Sequence, residues 1–104
     1  MSGVLVDTSF WYGFFDRTDD RHPRAVELAR AETLQPQVTQ PCLAELVTIL
    51  SQRIHPQLAS KVWRGMREGR YGTVVAVTLE DEVNGRALLD AHPDRRLSYA
   101  DVTA

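Results

Sequence analysis

Three acidic residues stand where an α/β chain could do chemistry. Asp7 directly follows the aliphatic run "VLV", Glu45 sits about one turn inside "PCLAELVTILSQR", and Asp101 lies three residues after Ser98 in the closing "LSYADVTA". Carboxylates brought together repel one another, and a hard divalent cation that prefers oxygen ligands relieves the repulsion. Each acid also has an ordinary explanation. Asp7 can cap the next helix, although Thr8 and Ser9 are equally good caps and leave it free for other work. Glu45 falls away from the apolar stripe of its own helix, where a solvated glutamate belongs. Ser98 and Asp101 have the spacing of a capping box, which needs no catalytic purpose.

The elements that must position these acids can be read from local pattern. Val4 to Val6 form a run too short for a helix and typical of a strand buried on both faces. "TSFWYGFF" packs aromatics densely, and "DRTDDRHP" marks a turn in which Asp20 is the expected cap of a helix over "HPRAVELARAE". That helix carries Ala25, Val26, Leu28 and Ala29 as its apolar stripe. "QVT" is a second extended piece, followed by a helix from Pro41 to about His55 with Leu43, Leu46, Val47 and Leu50 at helical spacing. The next helix, "QLASKVWRGMREG", faces the core with Leu58, Val62, Trp63 and Met66 and stops at Gly69. "TVVAV" is the clearest strand, and Thr78 with Asp81 signals the cap of "LEDEVNGRALLDA". The alternation of strands and helices predicts an α/β domain with a parallel sheet and right-handed crossovers, with residues 1–104 forming one domain.

Composition narrows the function classes. The formal net charge of −2 provides no global attraction for a polyanion, so contact with nucleic acid must come from local clusters. Those clusters are almost wholly arginine, with Lys61 the only lysine. Arginine suits phosphate because its planar fork bonds oxygens in pairs, although a solvated helix face explains any single one of them. The single cysteine, Cys42, excludes an internal disulfide and multi-cysteine zinc patterns, and reads as an inert apolar residue. No apolar run approaches the roughly 18 residues needed to span a membrane, and the N-terminus has no basic and apolar leader pattern. A cytoplasmic protein is expected.

Taken in order, strand–Asp7–Thr8–Ser9, then "LAELVTIL", then "LSYAD" resembles the PIN-domain ribonucleases, and most of all the toxin nucleases of VapBC-type toxin–antitoxin pairs. The resemblance runs over nearly the whole chain and includes "VTLEDEVNGRALLDAHPD". It implies a three-layer α/β/α domain with a central parallel sheet and a metal-dependent endoribonuclease that hydrolyses RNA phosphodiester bonds. It further implies that Asp7, Glu45 and Asp101 hold Mg²⁺ or Mn²⁺, with Thr8 and Ser9 as polar neighbours of the site. The implied partners are an RNA of the transfer or ribosomal class, a cognate antitoxin and a second copy in a homodimer. Arg17, Arg21, Arg95 and Arg96 are the arginines expected to contact the RNA.

One departure from the family pattern stands out. PIN domains usually carry a fourth acid after a further helix and strand beyond the third, and Asp90 and Asp94 cannot replace it because both precede Asp101. The expectation is therefore a domain incomplete at its C-terminal side, lacking a strand beside Val4 to Val6 and weakened in activity. The rival is a non-catalytic module derived from the same fold that engages an antitoxin or another PIN chain. A phosphoryl-transfer enzyme with Asp7 as nucleophile ranks lower, because the haloacid-dehalogenase pattern places a second aspartate where this chain has Ser9.

Overall fold

The structure, a computed structural model, describes residues 4–30 and 35–104. Its elements run β1 (Val4–Leu5), α1 (Thr8–Phe15), α2 (His22–Ala29), β2 (Pro36–Thr39), α3 (Gln40–Arg53), α4 (Pro56–Arg67), β3 (Thr73–Val75), α5 (Leu79–Ala91) and α6 (Tyr99–Thr103). The strands form one parallel sheet in the order β1-β2-β3, with Leu5 opposite Gln37 and Val38 opposite Val74. Val6 extends the first ladder by donating its N–H to Gln37 O at 2.9 Å. Among the described residues β1 pairs on one side only, and Leu5 is 48% exposed, so β1 is not the strand buried on both faces that its aliphatic run suggests. The middle strand β2 is the buried one, with Val38 and Thr39 both in the interior.

Helix α3 organises the core. Thr39 caps it by accepting from Cys42 N, and Pro41 occupies the first turn, where a missing N–H costs nothing. Leu43, Leu46 and Leu50 then point inward together, with Val47 half-buried beside them. Helix α4 is capped by His55, whose Nδ1 accepts from Leu58 N at 3.0 Å. It lays Ala59, Val62 and Met66 against the same core. Past its end, Gly69 adopts φ 77°, the left-handed conformation that other residues take at a cost.

Several local expectations are corrected. Trp63 is 53% exposed rather than part of the core, because a helix advances about 100° per residue and Val62 already occupies the inward position. "TSFWYGFF" is a helix, and Asp7 is its N-cap in place of Thr8 or Ser9. Asp20 does not cap α2. The N-cap position is held by Arg21, without a side-chain cap bond, and the turn is tied instead by Asp19, which accepts from the Arg21 N–H at 2.8 Å. The α2 stripe is narrower than expected, since Ala25 is buried but Leu28 and Ala29 are exposed. The expected continuation of this helix through Ala31 and Glu32 lies outside the described residues.

Helices α5 and α6 each begin with a complete capping box, Thr78 with Asp81 and Ser98 with Asp101. They pack closely through Gly85, where a Cβ would lie 2.8 Å from the Val102 carbonyl oxygen. Helix α6 reaches the core through Ala100, and its carbonyl oxygen faces the Cys42 thiol at 3.9 Å.

Candidate active site

Each candidate acid is carried by a different helix, and α3 packs against both of the others. Asp7 enters at the start of α1 because β1 ends two residues before it, with only Val6 between. Its Oδ1 accepts from Phe10 N at 3.0 Å and from the Ser9 hydroxyl at 2.8 Å. Glu45 projects from the first half of α3, half-buried, and accepts from the Thr8 hydroxyl at 3.4 Å. It is therefore not the freely solvated glutamate that its place on the helical wheel suggests. Asp101 Oδ2 accepts the Ser98 N–H at 3.0 Å, while the Asp101 N–H donates to Ser98 Oγ at 3.0 Å. In each case at least one carboxylate oxygen is engaged in fixing the side chain.

All three acids line one open cavity of about 770 Å³, together with Thr8 and Ser9. The donor set is carboxylate and hydroxyl oxygen, which suits a hard divalent cation in type. In spacing it is looser, for among the described residues no group of three or more His, Cys, Asp or Glu side chains is disposed to hold a metal ion. The free cysteine Cys42 also reaches this cavity but is buried.

The rest of the wall is cationic and aromatic. Arg21 lines the cavity, its guanidinium held by Asp19 through two bonds of 2.9 and 3.0 Å. Those bonds bring the Asp19 carboxyl down to about 2 and raise the Arg21 pKa, to which Asp7 adds a smaller electrostatic contribution. Arg53, in the last turn of α3, lies over the ring of Tyr12 at 5.6 Å from its centroid. Asp16 beside the Tyr12 phenol raises the phenol pKa, against a smaller lowering by Arg53, and the same pairing lowers the Asp16 carboxyl.

Of the arginines singled out in the sequence, Arg21 alone borders this cavity. Arg17 lines a separate groove between α2 and α4, floored by Phe14, Phe15 and Tyr71. Arg95 and Arg96 are exposed on the connection into α6 and border neither. Arg53 escaped sequence reasoning because it resembles any other helix-end arginine. Its one visible signal is the spacing of eight residues from Glu45, which places both on one side of the helix.

No protein-family model matches the chain, and no curated protein sequence matches it significantly. Among solved structures, the chain is similar to Mycobacterium tuberculosis VapC20, described as a sarcin–ricin loop cleaving toxin. The TM-score is 0.85 at 28% sequence identity, over 95% of this chain and 75% of the other. Among the described residues no helix is long and apolar enough to cross a membrane.

Proposed function

The chain is a VapC-like PIN domain in its three-layer α/β/α fold, and from that premise we propose that it is a toxin endoribonuclease hydrolysing RNA phosphodiester bonds. The observation that carries the reading is the meeting of Asp7, Glu45 and Asp101 on one cavity wall in a fold shared with an RNA-cleaving toxin. These three acids would hold Mg²⁺ or Mn²⁺, their closing onto the ion being part of the proposal. The ion supplies charge neutralisation on the phosphate and a water of lowered pKa.

The chain's own residues do the positioning. Ser9 and Phe10 N hold one oxygen of Asp7, Thr8 restrains Glu45, and the capping box restrains Asp101. Carboxylates restrained in this way lose little freedom when they take up a ligand. Arg21, fixed by Asp19, adds a cation on the wall to attract the RNA backbone. In this reading the protein acts in the cytoplasm, on an RNA of the ribosomal or transfer class, and is controlled by a cognate antitoxin.

A second reading is a binding module without nuclease activity that engages an antitoxin or another copy of the chain. It is favoured by the apolar surface on α5 and α6, where Leu79 is 77%, Val83 63% and Tyr99 53% exposed. Cleavage assays separate the two. The purified chain is incubated with a sarcin–ricin loop hairpin and with transfer RNA in Mn²⁺, alongside Asp7→Asn, Glu45→Gln and Asp101→Asn. The nuclease reading expects cleavage by the parent chain and loss in all three variants; equal cleavage by parent and variants would sink it.

A further inference from the structure

Arg53 and Arg21 face the cavity from the wall beyond the acids, and they are held in different ways. Arg21 is committed to Asp19 by a bidentate ion pair at 2.9 Å. Arg53 makes no ion pair among the described residues. Its guanidinium is placed instead over the ring of Tyr12, 5.6 Å from the centroid and in hydrogen-bonding reach of the hydroxyl, and Tyr12 is itself anchored in the core with Asp16 beside its phenol. A guanidinium carries five N–H donors, so engagement with one tyrosine orients it and leaves other donors able to bond. Glu45, Ile49 and Arg53 are spaced four residues apart along α3, and all three line the cavity.

From this arrangement we propose that Arg53, with Arg21 beside it, is a phosphate clamp that grips the RNA backbone to one side of the bond being cleaved. Eight residues of helix separate Arg53 from Glu45, about 12 Å along the axis, so the cation addresses a flanking phosphate rather than the scissile one. The free charge of Arg53 is the larger contributor, because Arg21 is already paired. Tyr12 and Asp16 act as positioning residues behind it. The ordinary alternative is that Arg53 merely complements the C-terminal end of the α3 dipole, as many helix-end arginines do.

The inference rests on the nuclease reading, and two measurements keep their failures apart. Binding of a fluorescent sarcin–ricin loop hairpin is followed at increasing KCl in an Asp7→Asn background, so that no cleavage intervenes. Adding Arg53→Gln is expected to weaken binding about five- to tenfold and to reduce the steepness of the log K against log [salt] plot by about 0.7 to 0.9 for one lost phosphate contact. Arg53→Lys is expected to restore most of that slope, which a dipole or packing role would not require. In the cleavage-competent chain, Arg53→Gln is expected to raise KM severalfold while kcat stays within about twofold.

An unchanged salt slope with Arg53→Gln overturns the clamp, as does a binding loss that Arg53→Lys fails to recover. If Asp7→Asn abolishes cleavage while Arg53→Gln alters neither slope nor KM, the clamp alone is lost and the nuclease reading stands. If the parent chain cleaves nothing and yet Arg53→Gln changes the slope, the nuclease reading is lost and the phosphate contact stands.

Discussion

Helices α3 and α5 are 14 and 13 residues long, and each is capped by a threonine, yet α3 buries Cys42, Leu43, Leu46 and Leu50 while α5 buries only Gly85. The difference lies in how their apolar residues are spaced. In α3, Leu43, Leu46, Val47 and Leu50 fall within about 100° of arc, a single stripe that one neighbouring surface can cover. In α5, Leu79, Val83, Leu88 and Leu89 are spread around the helix and all are exposed. A cap therefore decides where a helix begins, whereas the angular distribution of its side chains decides whether the helix belongs to the core. The site joins both kinds of structure, since Glu45 rides on the packed helix and Asp101 on α6, which α5 supports.

The sharpest way to break this comparison is to remove a leucine from each helix. Leu46 is fully buried, so Leu46→Ala is expected to cost about 2–5 kcal/mol of folding stability in urea titration. Leu88→Ala, at 50% exposure, is expected to stay within about 0.5 kcal/mol. Equal losses at the two sites would mean that α5 is covered in solution. Next in size is Gly85→Ala. Helix propensity alone favours alanine by about 1 kcal/mol, but the added Cβ would lie 2.8 Å from the Val102 carbonyl oxygen. A net destabilisation of about 1–3 kcal/mol is expected, with reduced cleavage because α6 carries Asp101, whereas a gain in stability would show that α5 and α6 do not pack closely.

Much of the fold was legible in the sequence because its signals are local. The periodicity of α3, the capping boxes at Thr78 and Ser98, the glycine after α4 and the three extended segments all follow from neighbours within a few residues. The misses have equally physical causes. Helix α1 is hard to read because "TSFWYGFF" is apolar on every side and offers no polar face, and because Asp7, Thr8 and Ser9 are all plausible caps in a row. Trp63 falls next to Val62 on the helical face, and local spacing does not reveal that the surface packed against α4 ends before it. The cavity wall was the least legible part. Glu45 and Asp101 could be proposed from a family pattern, but the meeting of Arg53 with Tyr12 depends on a tertiary contact that no local spacing announces.

Smaller effects sharpen the comparison further. Thr78→Ala is expected to lower stability by about 1 kcal/mol, because the capping box is the chief local determinant of an α5 that contributes little to the core. A negligible change would show that tertiary contacts hold that helix. The least effect is expected at Asp19, whose carboxyl is held at about 2 by its bonds to Arg21. The folded value lies below the unfolded value of about 3.9, so the stabilisation is complete above that pH and is lost as the pH falls through about 2. Asp19→Asn is expected to flatten the acid limb of the stability curve across that window, and an unchanged limb would show that the pair contributes nothing.

The most direct test of the central claim is a Mn²⁺ titration that follows RNA cleavage and metal binding in the same samples, for the parent chain and for Asp7→Asn. Asparagine caps a helix as well as aspartate does, so this substitution keeps α1 and removes only the charge. Cleavage by the parent chain is expected to rise with metal occupancy and saturate with it, while Asp7→Asn is expected to bind the ion weakly and cleave at background. Cleavage that is independent of metal, or that persists undiminished in Asp7→Asn, would contradict the assignment of these acids to a metal-dependent nuclease site.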